Sequence, residues 1–284
     1  MFIVFVTTLA AGLLGILSLC RMQQVTWKFV RLIGLLALCL LVPVLAGFMA
    51  WGGWRRGTVA IGSGTLTAGA ALSAFIVLGL APLSKQYRTT VRVFAGFGAL
   101  LALPAAWMWG VHYGLWPARE GHGQAGPVAD PSPAGGLDVR WAACGAQVLM
   151  AWALGSVSLA TALGHAYLTH TAMTIRPLRR LARLFAAAMT ARFAWAVLVG
   201  GGLAWRAIHD GRLAAADLRG AWLLLGVRGL IGLVIPGAFA FMVLETVRLR
   251  ATQSATGILY FALVLVFIGE LTALHLLREL GVAF

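Results

Sequence analysis

Uncharged apolar runs of about 20 residues recur along almost the whole chain, separated by short polar breaks, and each is long enough to cross a hydrocarbon core of about 30 Å as a helix. Eight such spans are expected, near 2–20, 30–51, 58–82, 93–116, 142–167, 184–205, 220–244 and 255–277. Strands are not expected, because an unpaired backbone N–H or C=O in lipid costs several kcal/mol and a helix pairs its own. The pattern therefore predicts an all-α, polytopic integral membrane protein, a bundle of eight transmembrane helices.

The one long break is PAREGHGQAGPVADPSPAGGLDVR, residues 117–140, rich in Gly and Pro and without a periodic apolar pattern. It reads as a solvated outer loop. On this reading residues 1–116 form a four-span scaffold half and residues 141–284 a second four-span half that carries the buried polar residues. The third span, GTVAIGSGTLTAGAALSAF, is dense in small residues, which suits close helix packing. No sequence repeat relates the halves, so nothing in the sequence points to an inverted-repeat transporter.

Composition agrees. Hydrophobic residues make up 61% of the chain and charged residues 11%, against roughly 25% charged in an ordinary soluble domain. The formal net charge of +14 would suit nucleic acid, but the Lys and Arg residues gather in the breaks between apolar runs, as membrane topology requires. Alternate breaks hold twelve (Arg21, Lys28, Arg31, Lys85, Arg88, Arg92, Arg176, Arg179, Arg180, Arg183, Arg248, Arg250) and eight (Arg55, Arg56, Arg119, Arg140, Arg206, Arg212, Arg219, Arg278), the second set accompanied by six of the eight acids. The richer side is expected to be cytoplasmic in a bacterial-type inner membrane, with both termini outside. The opening FIVFVTTLAAGLLGILSL lacks the basic start of a signal peptide and reads as a retained first span. Cys20, Cys39 and Cys144 are far apart, with no metal-ligand or disulfide spacing.

Ionisable groups deep in a span cost about 2.5–3.5 kcal/mol each on insertion scales, so they face the bundle interior and have partners. Arg192, Arg228 and Glu270 qualify. From the helical rise, Arg228 and Glu270 both lie about 10 Å below the outer boundary on consecutive antiparallel spans, which predicts an ion pair between them. That pair either only pins two helices or forms part of a proton route with His275 and His112 above it. Arg192, about 12 Å in from the cytoplasmic side, has no acid expected at its depth. His275, Arg278 and Glu279 share a helical face, and Glu270 lies about 140° round from His275.

Most of the tryptophans, Trp51, Trp54, Trp107, Trp109, Trp116, Trp141, Trp205 and Trp222, fall near outer span ends. They form an aromatic belt, or else WMWGVHYGLW, residues 107–116, lines a site that stacks on a flat ligand. Arg176, Arg179, Arg180 and Arg183 read as a positive-inside anchor or as a docking surface for an acidic partner or anionic lipid. A single b-type haem would need His112 and His275 as axial ligands; no other metal site is indicated. No soluble-catalysis motif occurs.

The eight spans, the outer termini and a last span carrying Gly269-Glu270-Leu271 followed by basic residues resemble the membrane anchor subunits of the DMSO reductase and polysulfide reductase group. The resemblance implies a subunit without a catalytic centre of its own, which binds quinol in the bilayer and passes electrons to partner subunits. Spans two and three contain no His, Asp or Glu, which moves a quinol site to the second half. The expected function is thus a membrane subunit of a respiratory or electron-transfer complex. Glu270 and His275 would take quinol protons, Arg228 would hold Glu270, and Trp107 or Trp109 would flank the ring. The alternatives are a ligand-free structural subunit, a single-haem cytochrome, or a small-solute transporter with a helix broken at Pro236.

Overall fold

The computed structural model describes residues 1–20, 25–50, 58–83, 86–112, 133–169, 174–209 and 220–280. Among them are eight helices long and apolar enough to cross a membrane, and no strand. The protein is an all-α, eight-helix membrane protein. We number the helices α1 (Phe2–Leu19), α2 (Trp27–Ala50), α3 (Thr58–Leu80), α4 (Arg88–His112), α5 (Pro133–Thr169), α6 (beginning Arg176–Trp195), α7 (ending Ile235–Arg248) and α8 (Thr252–Leu280).

Two helices depart from α geometry along their length. After Trp195, α6 passes through a π-helical stretch, Ala196–Gly200, and continues as Gly201–His209. α7 opens with Trp222–Gly226, is π-helical over Val227–Val234, and then resumes as α-helix. The π run ends just before Pro236. A proline inside a helix has no N–H to donate, and its ring clashes with the carbonyl four residues back, so the preceding turns must widen or bend. Pro236, where the transporter alternative places its break, thus directly follows a widened stretch of the helix.

α1 and α5 are the most enclosed spans, while α2 and α7 show most of their surface to the membrane. α1 packs against α2, α4 and α5; α3 closes the first group against α2 and α4; α5 carries α6 and α8; and α7 lies against α6 and α8. The α1–α5 seam is a backbone contact, for a Cβ added at Gly12 or at Gly155 would collide with the facing main chain. Beside it Gln147 Nε2 donates to Thr8 Oγ1 at 3.3 Å. In the membrane, where lipid tails are as apolar as leucine, small residues that let backbones approach replace the hydrophobic drive of water.

Two boundaries differ from the sequence expectation. α5 starts at Pro133, so the last part of the segment read as loop is helical; proline is tolerated in a first turn because that N–H has no helical partner. α6 starts at Arg176, not near 184, because its arginines form its first turns instead of a loop. Residues 117–132 lie outside the described residues, as do Trp51, Trp54 and Trp116.

Candidate functional site

Glu270 lies in the middle of α8 and is 1% exposed. The structure brings Arg228 to it, as the depth reading required: Arg228 Nη1 donates to Glu270 Oε1 at 3.4 Å. A second arginine is closer. Arg192 Nη2 donates to Oε2 at 2.8 Å, and Arg192 Nε lies 3.1 Å from Oε1 and 3.3 Å from Oε2. Both arginines are 2% exposed. The expectation that Arg192 has no acid at its depth is corrected: its partner is Glu270. With α6 starting at Arg176, Arg192 is about 24 Å along its helix, and Glu270 is about 27 Å along α8 from the same end, so the two are level. Reading the arginines at 176–183 as loop made Arg192 shallow by two turns.

Three helices thus meet at one carboxylate, and each has a local reason to do so. Gly232 and Gly269 put the main chains of α7 and α8 in contact, a Cβ at Gly232 falling 2.5 Å from Gly269 Cα. Gly232 is one turn from Arg228 and Gly269 adjoins Glu270, so this crossing carries the guanidinium to the carboxylate. The π run holds Arg228 within it. Runs of this kind are uncommon and recur at functional sites. α6 supplies Arg192 near the end of its first α-helical part, one turn before Trp195, whose ring fills the space over Gly145 of α5.

The fork of Arg192 takes both carboxylate oxygens, the geometry in which a buried charge pair gains most. The three side chains carry two formal positive charges and one negative. Arg228 has further interactions of its own. Arg192 Nη1 is buried without a hydrogen-bond acceptor among the described residues, as is Trp195 Nε1.

The other expected site residues are dispersed. His275 is half-buried on α8, five residues beyond Glu270, and Arg278 and Glu279 are exposed at the helix end. Trp109 belongs to the first half: its indole N–H donates to Thr67 Oγ1 at 3.2 Å and its ring meets Phe48 edge-on at 5.9 Å. Trp107 is half-buried against the core on the same helix. The contacts of Trp109 are to α2 and α3, whereas Glu270 is held by α6 and α7. The side chain of His112 lies outside the described residues, so the pair proposed for haem is not placed. Among the described residues no three His, Cys, Asp or Glu side chains gather into a metal-binding group.

At the other end of the bundle, Arg176, Arg179 and Arg183 are exposed and Arg180 is half-buried. Tyr260 of α8 shares a 3.1 Å hydrogen bond with His165 Nδ1 of α5, a contact the sequence did not suggest. Cys20, just past α1, is buried near Phe29 of α2, Leu163 of α5 and Leu181 of α6; burial pushes its thiol up to about 11, with Arg180 and Arg92 pulling it the other way.

Arg192 was the residue that sequence reasoning misplaced, and a signal for it exists. Arg176-Pro177 is a helix-start pattern, since proline favours the first helical position. Counting from there puts Arg192 at the depth of Glu270. No family model, curated protein or solved structure matches this chain.

Proposed function

We propose that this chain is the integral-membrane subunit of a multi-subunit electron-transfer complex in a bacterial-type inner membrane, and that it meets quinol near the outer end of α8. The observation that carries the reading is the Arg192–Glu270–Arg228 triad. It fastens three helices of the second half, and it lies in the helix that bears the Gly269-Glu270-Leu271 pattern of the reductase anchors. His275 stands about 7.5 Å further along the axis of that helix.

We divide the roles differently from the sequence expectation. Protonating Glu270 would leave two buried guanidiniums without their counter-charge, so Glu270 serves as a fixed counter-ion and His275 takes quinol protons. The unmatched donor on Arg192 favours a ligand role for this region, because a purely structural centre normally satisfies its buried donors.

One observation favours the second reading, a ligand-free structural subunit: both oxygens of Glu270 are already engaged within the chain. Substitution at His275, outside the triad, separates the two. After purification with its partner subunits, His275→Gln is expected to keep assembly intact and to lower quinol-driven electron flow about 10²- to 10⁴-fold, the range of a lost general base. Unchanged electron flow with intact assembly would establish the structural reading. Purification without redox partners, together with tryptophan fluorescence that does not respond to quinol, would overturn the electron-transfer role altogether.

A further inference from the structure

The hydrogen-bonding capacity left over beside the triad is all of one kind. The edge of Arg192 formed by Nε and Nη2 faces Glu270, which turns Nη1 away from the carboxylate. That nitrogen is buried without an acceptor. One turn further along α6, Trp195 Nε1 is buried in the same condition, and so is Trp152 Nε1 of α5. Guanidinium and indole nitrogens donate and do not accept, so none of the three satisfies another.

All three belong to the seam between α5 and α6. The ring of Trp195 packs on α5 at Gly145, where an added Cβ would collide with it. Trp152 lies seven residues beyond Gly145, about two turns, and therefore on the same face of α5. Counted from the ends that meet at the α5–α6 connection, Trp152 is about 26 Å along α5 and Arg192 about 24 Å along α6, so they share a height. Toward the His275 end, Gly201–His209 of α6 and Trp222–Gly226 of α7 do not pack closely on each other, so α6 is free of α7 on the side from which a small solute would enter.

A water molecule suits this set poorly. It accepts two hydrogen bonds and brings two protons that need acceptors of their own, and both oxygens of Glu270 are already engaged. A small anion accepts from all three donors and asks for nothing in return. Its charge also lies beside a guanidinium that shares one carboxylate with a second, in a setting where an intramembrane charge needs a partner.

We infer that the α5–α6 seam beside the triad binds one small monovalent anion of the halide class, which accepts from Arg192 Nη1 and from the indole N–H groups of Trp152 and Trp195. The ion ties α5 to α6 at the height where α6, α7 and α8 are already joined. The inference does not rest on the electron-transfer reading, because the donors need an acceptor whatever the chain does.

The test is thermal unfolding of the full chain in mild detergent, first exchanged into sodium gluconate and then titrated with sodium chloride at constant ionic strength. Chloride is expected to raise the melting temperature along a saturating curve, as a ligand of the folded state does, and sodium bromide to do the same. Trp195→Phe and Trp152→Phe each keep a ring and lose a donor, and each is expected to weaken the apparent affinity about 10- to 100-fold, the worth of a hydrogen bond to a charged group. Trp205→Phe, at an exposed position of the same helix, is expected to leave the curve unchanged. Crystals of the wild-type protein grown in bromide report without any variant: an anomalous peak within hydrogen-bond reach of Arg192 Nη1 supports the site, and a map with no peak there overturns it. Equal melting temperatures in chloride and gluconate would leave the seam to a buried water and overturn the anion. An affinity that neither seam variant alters would put the ion elsewhere and overturn the site.

Discussion

Arg192 and Arg228 share one carboxylate but not equally. Arg192 grips both oxygens, with its shortest bond at 2.8 Å, whereas Arg228 reaches one oxygen at 3.4 Å. Removing one partner of a buried pair costs about 3–5 kcal/mol because the other charge is stranded, whereas replacing charges by apolar groups of similar size is often neutral. Glu270→Gln strands both arginines and should therefore be the most destabilising of the three changes. Arg228→Met leaves a one-to-one pair and should cost least, with Arg192→Met between them. Thermal unfolding of the three variants in detergent checks the order; Arg228→Met as damaging as Glu270→Gln would contradict it. The Cys20 thiol, raised to about 11, gives a second residue-scale expectation. At pH 8 only about a thousandth of it is thiolate, so maleimide should label it slowly in the folded protein, and quickly only after unfolding or well above pH 10. Fast labelling at pH 8 would mean that the packing around Cys20 is open.

At the scale of elements, the α7–α8 crossing is what delivers Arg228. Gly269→Ala would drive a Cβ into the main chain of α7 at Gly232, and overpacking of that kind costs about 1–3 kcal/mol. Gly257→Ala, on the same helix but facing open space, should be neutral or slightly stabilising, since alanine is the better helix former. Comparing the two melting temperatures isolates the crossing, and equal effects would remove it as the cause. The same elements show what could be read from sequence. Eight apolar runs gave eight helices, because length and hydropathy alone specify a span. Arg228 and Glu270 were paired because consecutive spans joined by a short turn share a depth scale. Arg192 escaped because basic residues at a membrane surface look alike as loop or as first turn, and that choice shifts everything after it by two turns. The π run over Val227–Val234 had no local signature beyond Pro236. The site as a set was less legible than the fold, for the arrangement of Trp109 against α2 and α3 depends on which helices pack together, and hydropathy carries no such information.

For the whole molecule, an even number of spans places both ends of the chain on one side, and the distribution of Lys and Arg decides which side. Twelve basic residues lie in the breaks at the Arg176 end and eight at the other. We expect the Arg176 end to face the cytoplasm, because cytoplasmic loops retain positive charge during insertion. A reporter active only outside the cytoplasm should work when fused after Phe284 and fail when inserted beside Arg250; the opposite pattern would reverse the orientation, and with it the outer placement of His275. The margin also makes the topology adjustable. Replacing Arg176, Arg179, Arg180 and Arg183 by Gln leaves eight basic residues facing eight, so the bias that orients the chain is gone. The quadruple variant should insert in both orientations, giving partial signal from the reporter at either position. A uniform orientation would show that direction is set elsewhere, by the strongly apolar first span or by the segment at 117–132, and that the four arginines act through what they bind at the surface and not through their charge count.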